Sequence, residues 1–467
     1  TLSGVSGVST GDITNAELYY DFNGDGAITA SSSWNISYES SLQLIEALMV
    51  DGINGVVYAG QGGVSDEGDI FACEPLVSGD ADGVCEDGEW ILSYNGGQEY
   101  INYILIDNSN GVIYAGQGAT AGDGDVYYCQ PLVSGDADGI CEDGEWSLSY
   151  DGSGYGIYSM TFDNINETIY IGQGAGSVVG DGDIYACQPS LSGNANGVCE
   201  DGEWDLSYNG SRYYIQSLVF DSLNDVIYGG QTGINGDGNI YACRPQVFGD
   251  ADGLCEPGEW ILGYNGNQER IQSLTFDTWN GAIYAGQGYN SGDADIYTCQ
   301  PLVSGDADGL CEDGEWTLSY NGAQEIILSL TFDTVKGTVY AGLGYSASGY
   351  GNIYSCQPLA SGDADGICED GEWSLVYDGS QEYIMSLAVD NTNGIVYAGQ
   401  GIDAGDGDIF YHITGDSQIA SDGTVNITGA NGTITFATST PYYQAIGNND
   451  YLLKMTVAGI ANTDMLT

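Results

Sequence analysis

The chain has 467 residues, which is long enough for one large domain or several. It carries 67 acidic residues against 5 lysines and arginines, and a formal net charge of −62 excludes binding to nucleic acid and to anionic membranes. The single histidine, His412, nearly excludes histidine-based catalytic triads and multi-histidine metal sites. A charge of this size indicates either bound cations or adaptation to a saline or acidic medium.

Residues 1–33 are interpreted as an N-terminal arm. Residues 1–11 are small and polar, and we expect them to form a flexible lead or an extended arm that docks elsewhere. The chain starts at Thr1 without a charged, apolar leader, as expected of a mature form whose signal peptide has been removed. No uninterrupted apolar run is long enough to span a bilayer.

The arm contains one motif, which starts at Asp21 and reads DFNGDGAIT. It has oxygen-bearing side chains at its first, third and fifth positions and glycine at its sixth, and it resembles the calcium loop of dockerins and EF-hands. The resemblance implies that Asp21, Asn23 and Asp25 are Ca²⁺ ligands. Ser32 replaces the usual acid at the twelfth position, so we expect a weaker or incomplete site.

From residue 34 onward the chain is a repeat. Tryptophans recur every 56 to 58 residues, at Trp34, Trp90, Trp146, Trp204, Trp260, Trp316 and Trp373. A period of this size is typical of a propeller or an array. One period contains four short, β-branched and aromatic segments separated by turns, at Trp90–Tyr94, Tyr100–Asp107, Gly111–Gly116 and Asp125–Cys129. Four antiparallel strands per unit are typical of a propeller blade.

Seven such units can be counted between residues 34 and 413, so we predict an all-β, seven-bladed β-propeller. The strand that ends at Asp51 and its equivalents is the most apolar and is predicted to be innermost. The tryptophan strand is then outermost. The first one, Trp34–Tyr38, precedes any inner strand of its own, whereas the seventh unit lacks one. We therefore expect the N-terminal strand to complete the last blade and close the ring.

The twelve cysteines form six C-x₁₁-C pairs with none left over. This regularity predicts local disulfides and an oxidising, extracellular compartment. Thiolate metal binding is the alternative, but zinc sites usually have closer pairs and histidine. Each crosslink would contribute about 3 kcal/mol in the chain-entropy model.

A Gly-rich cluster of acids lies between and just after each pair of cysteines. Oxygen ligands at alternate positions with a glycine turn suit a hard cation, so we predict several Ca²⁺ sites. The third copy has two asparagines and should bind more weakly. The alternative is an acidic turn held only by its disulfide. The predicted ligands are Asp80, Asp82, Glu86, Glu89, Asp136, Asp138, Glu142, Glu145, Asn194, Asn196, Glu200, Glu203, Asp250, Asp252, Glu256, Glu259, Asp306, Asp308, Glu312, Glu315, Asp363, Asp365, Glu369 and Glu372.

Two resemblances accompany these patterns. The repeat is similar to the Asp-box and NHL-like propeller repeats, although Asp87-Gly88-Glu89-Trp90 is shorter than an Asp-box and lacks its serine. The acidic loop resembles thrombospondin type-3 and dockerin calcium loops.

A second acidic series precedes the fourth strand of several repeats, as in Asp66 with Asp69 and Asp123 with Asp125. Tight-turn chemistry explains this series as well as a metal does. The aspartate that closes each inner strand, such as Asp107, is predicted to cap a turn.

Catalytic residues do not stand out. A sialidase-like site needs an arginine cluster, and Arg244, next to Cys243, is expected at a blade's outer edge. A glycosidase can work with two carboxylates, but none of the many acids forms a distinctive pair. The 36 tyrosines sit mainly at strand positions and are interpreted as sheet packing. We therefore predict no enzymatic activity and no catalytic residues.

Residues 414–467 are interpreted as a C-terminal β extension with strands at Thr424–Thr428, Thr433–Thr438 and Tyr451–Ile460. So few strands are marginal alone, so we expect them to pack on the propeller, form a small domain or add to a neighbouring subunit. The sequence thus predicts a secreted, calcium-binding structural protein that self-assembles at a cell surface or in a filament through its ends. A carbohydrate-binding adhesion propeller and a calcium-dependent glycoside hydrolase or lyase are the alternatives. Sequons permit glycosylation at Asn35, Asn166, Asn209, Asn426 and Asn431.

Overall fold

The structure is a computed structural model, and it describes most of the repeat region and parts of the two ends. The described residues are 16–20, 34–39, 44–62, 68–79, 83–96, 100–118, 124–135, 137–152, 155–174, 182–193, 195–210, 214–233, 238–249, 252–266, 270–288, 294–322, 326–344, 351–362, 365–379, 383–401, 407–413, 424–429, 432–437, 442–447 and 450–455. Only the backbone is described for the first and the last four of these segments. The chain divides into two compact units, of which the larger comprises Trp34–Asp390 and Val396–Tyr411 and the smaller contains the terminal strands.

The larger unit is an all-β propeller of seven four-stranded antiparallel sheets, as predicted. Its first four blades contain β3 (Leu44–Asp51), β4 (Val56–Gly62), β5 (Ile70–Cys73), β6 (Ile91–Tyr94), β7 (Ile101–Asp107), β8 (Val112–Gln117), β9 (Val126–Cys129), β10 (Ser147–Tyr150), β11 (Gly156–Asp163), β12 (Thr168–Gly174), β13 (Ile184–Cys187), β14 (Asp205–Tyr208), β15 (Tyr214–Asp221), β16 (Val226–Thr232), β17 (Asn239–Cys243) and β18 (Ile261–Asn265). The other three contain β19 (Ile271–Asp277), β20 (Ala282–Gln287), β21 (Ala294–Cys299), β22 (Thr317–Gly322), β23 (Ile326–Asp333), β24 (Thr338–Gly344), β25 (Gly351–Cys356), β26 (Ser374–Gly379), β27 (Tyr383–Asp390), β28 (Ile395–Gly401), β29 (Ile409–Ile413) and β2 (Asn35–Tyr38). Within the described residues no helix is both long enough and apolar enough to cross a bilayer.

Within a blade the chain runs from an inner strand through a second and a third strand to an outermost strand. Every residue of the second strand β4 is buried, because this strand packs between two blades. The glycines of this strand are needed because there is no room for a larger side chain. A Cβ on Gly60 would lie 2.5 Å from Cγ2 of Ile101 in the next blade, so a larger residue would push the blades apart. The repeated Y-A-G-Q-G sequence therefore sets the spacing between blades.

The last blade takes its outermost strand from the N-terminal side of the chain. β2 pairs antiparallel with β29, with Asn35 opposite Tyr411 and Tyr38 opposite Ile409. This pairing confirms the prediction that the first tryptophan strand completes the seventh blade. It covers an edge that would otherwise be open to pairing with another chain.

The smaller unit contains two small sheets. β1 (Ala16–Tyr20) and β32 (Tyr442–Gly447) pair with opposite sides of β33 (Asp450–Met455), and β30 (Thr424–Gly429) pairs with β31 (Gly432–Ala437). Three of these strands overlap those predicted in the C-terminal extension. The pairing of an N-terminal strand with a C-terminal one was not predicted from the sequence.

Candidate functional site

The third and outermost strands of six blades are connected by a loop that a disulfide closes, which we call a staple loop. The pairs are Cys73–Cys85, Cys129–Cys141, Cys187–Cys199, Cys243–Cys255, Cys299–Cys311 and Cys356–Cys368. None of the twelve cysteines is free. The predicted local disulfides are confirmed.

Each staple loop is also a joint between two blades. The backbone N–H of Cys141 donates to Oη of Tyr58, which is buried in the second strand of the preceding blade, at 3.1 Å. Burial raises the pKa of Tyr58 above its usual range, so the phenol stays neutral. The same bond of 3.0 to 3.3 Å joins Cys199 to Tyr114, Cys255 to Tyr170, Cys311 to Tyr228, Cys368 to Tyr284 and Cys85 to Tyr397.

The outermost strand of the preceding blade completes the joint. Oγ of Ser37 donates to the carbonyl of Cys85 at 2.5 Å, and Nε1 of Trp90 donates to the carbonyl of Ser37 at 3.2 Å. The repeated tryptophans therefore bridge blades by packing and by hydrogen bonding. Sequence reasoning found the tryptophans and cysteines but not their tyrosine and serine partners, which lie 48 to 312 residues away.

The glutamate before each tryptophan holds the backbone of its staple loop. In the fifth loop, Oε2 of Glu315 accepts from the N–H of Glu312 at 2.9 Å and Oε1 accepts from the N–H of Asp306 at 3.1 Å. A Cβ on Gly305, which has φ +55°, would fall 1.4 Å from Oε1 of Glu315, so this position needs glycine. Glu89, Glu145, Glu203, Glu259 and Glu372 make the first of these two bonds in their own loops.

Other predicted ligands also bond to the backbone. Oδ1 of Asp308 accepts from the N–H of Leu310 at 2.9 Å, which is a turn-capping bond. Asp138, Asp252 and Asp365 make the same bond, and Asn196 makes it in the third loop. Asp313 reaches back to the preceding blade, where its Oδ1 accepts from the N–H of Asn265 at 3.1 Å.

The fifth staple loop is described without a gap, so its four predicted ligands can be placed together. Partial burial and the charges of Asp308, Asp306 and Glu315 raise the pKa of Glu312. These carboxylates therefore lie close enough to repel one another. Among the residues that the structure describes, no group of three or more Asp, Glu, His or Cys side chains converges in a geometry that could hold a metal. Asp21, Asn23, Asp25, Asp80, Asp82, Asp136, Asn194, Asp250 and Asp363 lie outside the described residues.

Where the structure describes them, the remaining acidic side chains accept hydrogen bonds from the backbone of turns. Oδ1 of Asp51 accepts from the N–H of Ile53 at 2.8 Å, which confirms that the aspartate closing an inner strand caps a turn. In the second acidic series, Oδ1 of Asp69 accepts from the N–H of Gly96 at 3.2 Å. Asp125 and Asp183 make the equivalent bond to Gly152 and Gly210. Their predicted companions, such as Asp66 and Asp123, lie outside the described residues.

The inner strands surround an axial cavity of about 780 Å³. Its middle is apolar, and the end near the Asp51 turn and its equivalents is lined by Asn108, Asn164, Ser222, Thr278 and Thr334. The other end is formed by the residue at which six of the inner strands bulge out of register with the second strand, and by Met385 at the equivalent position of the seventh. These seven residues, which we call the Glu46 mouth, are Glu46, Asn102, Tyr158, Gln216, Gln272, Leu328 and Met385.

The sequence contains one signal for this mouth, which was not among the predicted features. The mouth residue is the variable position in the repeated I-x-S-L pattern, and it differs from copy to copy while its neighbours recur. Tyr158 packs at the mouth against Tyr214, with ring centroids 5.3 Å apart. The interpretation of tyrosines as packing residues holds for Tyr58 and its buried equivalents. Tyr158, in contrast, lines the cavity.

Comparison with known proteins identifies no family for this chain. No protein-family model matches the chain, and a search of curated proteins found no match. Similar solved structures include a chain of a nidogen–laminin complex, at 14% identity over 60% of this chain and 83% of that one with a TM-score of 0.38. A chain of a mitotic checkpoint complex has 11% identity over 83% and 97% with a TM-score of 0.49. A β-propeller domain from Myceliophteria thermophila has 10% identity over 82% and 99% with a TM-score of 0.49.

Proposed function

We propose that this chain is an extracellular structural subunit without enzymatic activity, in which calcium stabilises a rigid ring and the terminal strands link copies. The observation that carries the proposal is the joint that each staple loop forms between two blades. Disulfide, tryptophan and tyrosine recur together at six blade boundaries, and serine joins them at five, so the distinctive chemistry of the repeat serves mechanical coupling. Six disulfides fit an oxidising environment outside the cell.

Calcium binding is supported by the charges of the staple loops. In the fifth loop Asp306, Asp308 and Glu312 lie around one turn, and burial together with the charges of the neighbouring carboxylates raises the pKa of Glu312. In the fifth loop the bonds to backbone N–H groups use only some of the carboxylate oxygens, and Ca²⁺ takes 6–8 oxygen ligands including backbone carbonyls and water. The resemblance to thrombospondin type-3 and dockerin loops adds to this argument. A cation bound there would lower the cost of a net charge of −62.

Self-assembly is supported by the edges that the terminal sheet presents. In the three-stranded sheet β1 and β32 are the outer strands, so each has one side without a strand partner among the described residues. An edge strand can pair with a strand of another chain, and head-to-tail repetition of such a contact produces a filament. The antiparallel pairing of β1 with β33 could also form between two copies, in the same register.

The staple loops supply a second surface through which two copies of the chain could contact each other. Each loop exposes aliphatic side chains close to its carboxylates, and Val77 and Leu191 have about seven-tenths of their surface in solvent. The exposed set is Leu76, Val77, Leu132, Val133, Leu191, Val247, Leu302, Val303 and Leu359. Apolar surface repeated in this way marks interaction sites on soluble proteins.

The absence of enzymatic activity is a proposal that rests on the cavity. Glu46 is the one carboxylate among the described residues that line it, whereas most glycoside hydrolases need a pair. Arg244, which a sialidase-like site would require there, instead donates to the carbonyl of Gly309 in a staple loop at 2.6 Å.

The test is the oligomeric state of the full chain, measured by light scattering and negative-stain microscopy with Ca²⁺ or EGTA. We expect regular assemblies with Ca²⁺, and a folded monomer after deletion of residues 414–467. Deletion of residues 456–467 alone is the matched control, because it keeps every described terminal strand and should still assemble. A chain without residues 414–467 that assembles normally, or a full-length chain that stays monomeric at high concentration with Ca²⁺, would show that the proposal is wrong.

A further inference from the structure

The Glu46 mouth is where the ring departs from its own symmetry. Seven equivalent positions carry six residue types, whereas one residue further along the inner strands five of the seven copies have serine. Four of those serines bond to a neighbouring blade, as when Oγ of Ser159 donates to the carbonyl of Ile215 at 3.0 Å. Folding explains why the structural residues recur in each repeat. It does not explain why the residue that lines the cavity differs from blade to blade.

The variation is ordered around the ring. The first five blades contribute a carboxyl, three amides and a phenol, and the last two contribute Leu328 and Met385. The mouth therefore has a polar arc and an apolar arc. A ligand that fits both must have hydrogen-bonding groups along one side and carbon surface along another.

Parts of the polar arc are held in place. Nδ2 of Asn102 donates to the carbonyl of Ile157 in the next blade at 2.9 Å, which orients its amide. Tyr158 is packed edge-on against Tyr214 at an interplanar angle of 64°. These side chains are positioned before a ligand arrives, which reduces the entropy cost of binding.

Glu46 is half-buried at the mouth and makes no hydrogen bond to any residue in the described part of the chain. Burial raises the pKa of Glu46 to about 7, and burial, Tyr214 and the charge of Glu46 raise the pKa of Tyr158, which lines the same cavity. A half-buried carboxyl without protein donors depends on water or on a ligand to supply its hydrogen bonds. Hydroxyl groups of a ligand could do so.

The charges at the mouth and over the whole chain favour some classes of ligand over others. The net charge of −62 and the carboxyl of Glu46 disfavour anions. A multivalent cation would find one carboxylate instead of several. Amides, a phenol and a carboxyl that is partly protonated near neutral pH can both donate and accept, and so can hydroxyl groups. A sugar ring combines a hydroxyl edge with a carbon face, and the cavity of about 780 Å³ falls within the usual range for small-molecule sites.

We infer that the Glu46 mouth binds a neutral saccharide, with Glu46, Asn102 and Gln216 on its hydroxyl groups and Leu328 and Met385 against its carbon face. The site is separate from the staple loops. These loops follow the third strand and lie at the same end of the blade as the Asp51 turn, whereas the mouth lies near the start of the inner strand. Saccharide binding and the proposed structural role can therefore hold or fail independently.

The experiment is saturation-transfer NMR followed by calorimetry on the full chain with glucose, galactose, mannose, N-acetylglucosamine, maltose and lactose. We expect at least one of them to bind with a millimolar dissociation constant. Glu46→Leu, Asn102→Leu and Gln216→Leu should each weaken that binding at least about tenfold, because each removes a polar partner. Leucine is already native at this position in the sixth blade, so the substitution suits the fold.

Two controls decide what a loss of binding means. Glu39→Gln removes one charge from an exposed residue beside the outermost strand and should leave saccharide affinity unchanged. Asp308→Asn changes a staple loop and should also leave it unchanged. The inference is overturned if none of the six sugars binds at tens of millimolar, or if the leucine variants bind as tightly as the parent chain.

Discussion

Oη of Tyr397 accepts a hydrogen bond from the backbone N–H of Cys85 at 3.3 Å, joining residues 312 positions apart. Five other blade boundaries have the same bond, so the last and first blades meet through the same joint as the others. Oγ of Ser386 adds a bond to the carbonyl of Ile45 at 3.1 Å across the same boundary. The closure of the ring is therefore built from the chemistry of the repeat as well as from the N-terminal strand.

The first prediction concerns this joint. Tyr397→Phe removes the acceptor and leaves a buried N–H of Cys85 unsatisfied, at a cost of about 1–3 kcal/mol in the free energy of unfolding. Tyr228→Phe removes the same bond inside the repeat, and we expect an equal loss because a closed ring has no weak boundary. Urea denaturation measures both. A near-neutral Tyr397→Phe beside a destabilising Tyr228→Phe would contradict a closed ring.

The second prediction concerns the pH dependence that Glu46 confers. Its pKa is raised from 4.5 to about 7 in the folded chain, so between these values the folded state holds a proton that the unfolded state has lost. Stability contributed by this group therefore falls as pH rises through that window, by at most about 3 kcal/mol. Glu46→Gln removes the effect.

The measurement is the free energy of unfolding of the parent and of Glu46→Gln at pH 5 and pH 8. The neighbouring Tyr158, whose pKa is raised to about 12, stays neutral over this range, so the comparison isolates the carboxyl. We expect the variant to gain stability relative to the parent at pH 8. An equal difference at both pH values would mean that Glu46 is not held in an enclosed site.

The third prediction concerns calcium. EGTA should lower the melting temperature sharply, because a ligand that binds only the folded state contributes about 2.7 kcal/mol at a hundred times its dissociation constant. Asp308→Asn should remove one bound Ca²⁺ in calorimetry while it keeps the turn, since an asparagine oxygen can accept the same bond from Leu310. The third loop, with Asn196 at this position, shows that the turn tolerates asparagine. Identical melting curves with and without EGTA, with the disulfides intact, would exclude the calcium proposal.

The fourth prediction concerns glycosylation. Nδ2 of Asn166 donates to Oδ2 of Asp163 at 2.7 Å and to Oδ1 of Asp225 at 3.0 Å, so a glycan there would disrupt both bonds. Asn209 is exposed. In a host that glycosylates such sequons, peptide mapping of the folded protein should find a glycan on Asn209 and none on Asn166. Equal occupancy at both would show that the Asn166 contacts are dispensable.

The sequence by itself determined the features that depend on local chemistry. The alternation around Trp90–Tyr94, the glycine and asparagine turns and the aspartate caps such as Asp51 are decided by residues a few positions apart. The period, the blade count and the cysteine pairs twelve residues apart also follow from comparing one copy with the next. Even the completing strand Asn35–Tyr38 could be predicted, because an unpaired strand at each end of a repeat implies closure.

Only the tertiary structure decided which residues meet across blades. Glu315 is predicted from the sequence as a metal ligand, and only the folded loop shows that its oxygens also accept from the N–H groups of Glu312 and Asp306. Glu46 reads as an ordinary strand residue between apolar neighbours. The bulge seen in six of the inner strands turns this position into the cavity, where seven side chains that are far apart in sequence come together. Strand patterning specifies the face on which a side chain lies, but convergence on an axis is a property of the closed ring.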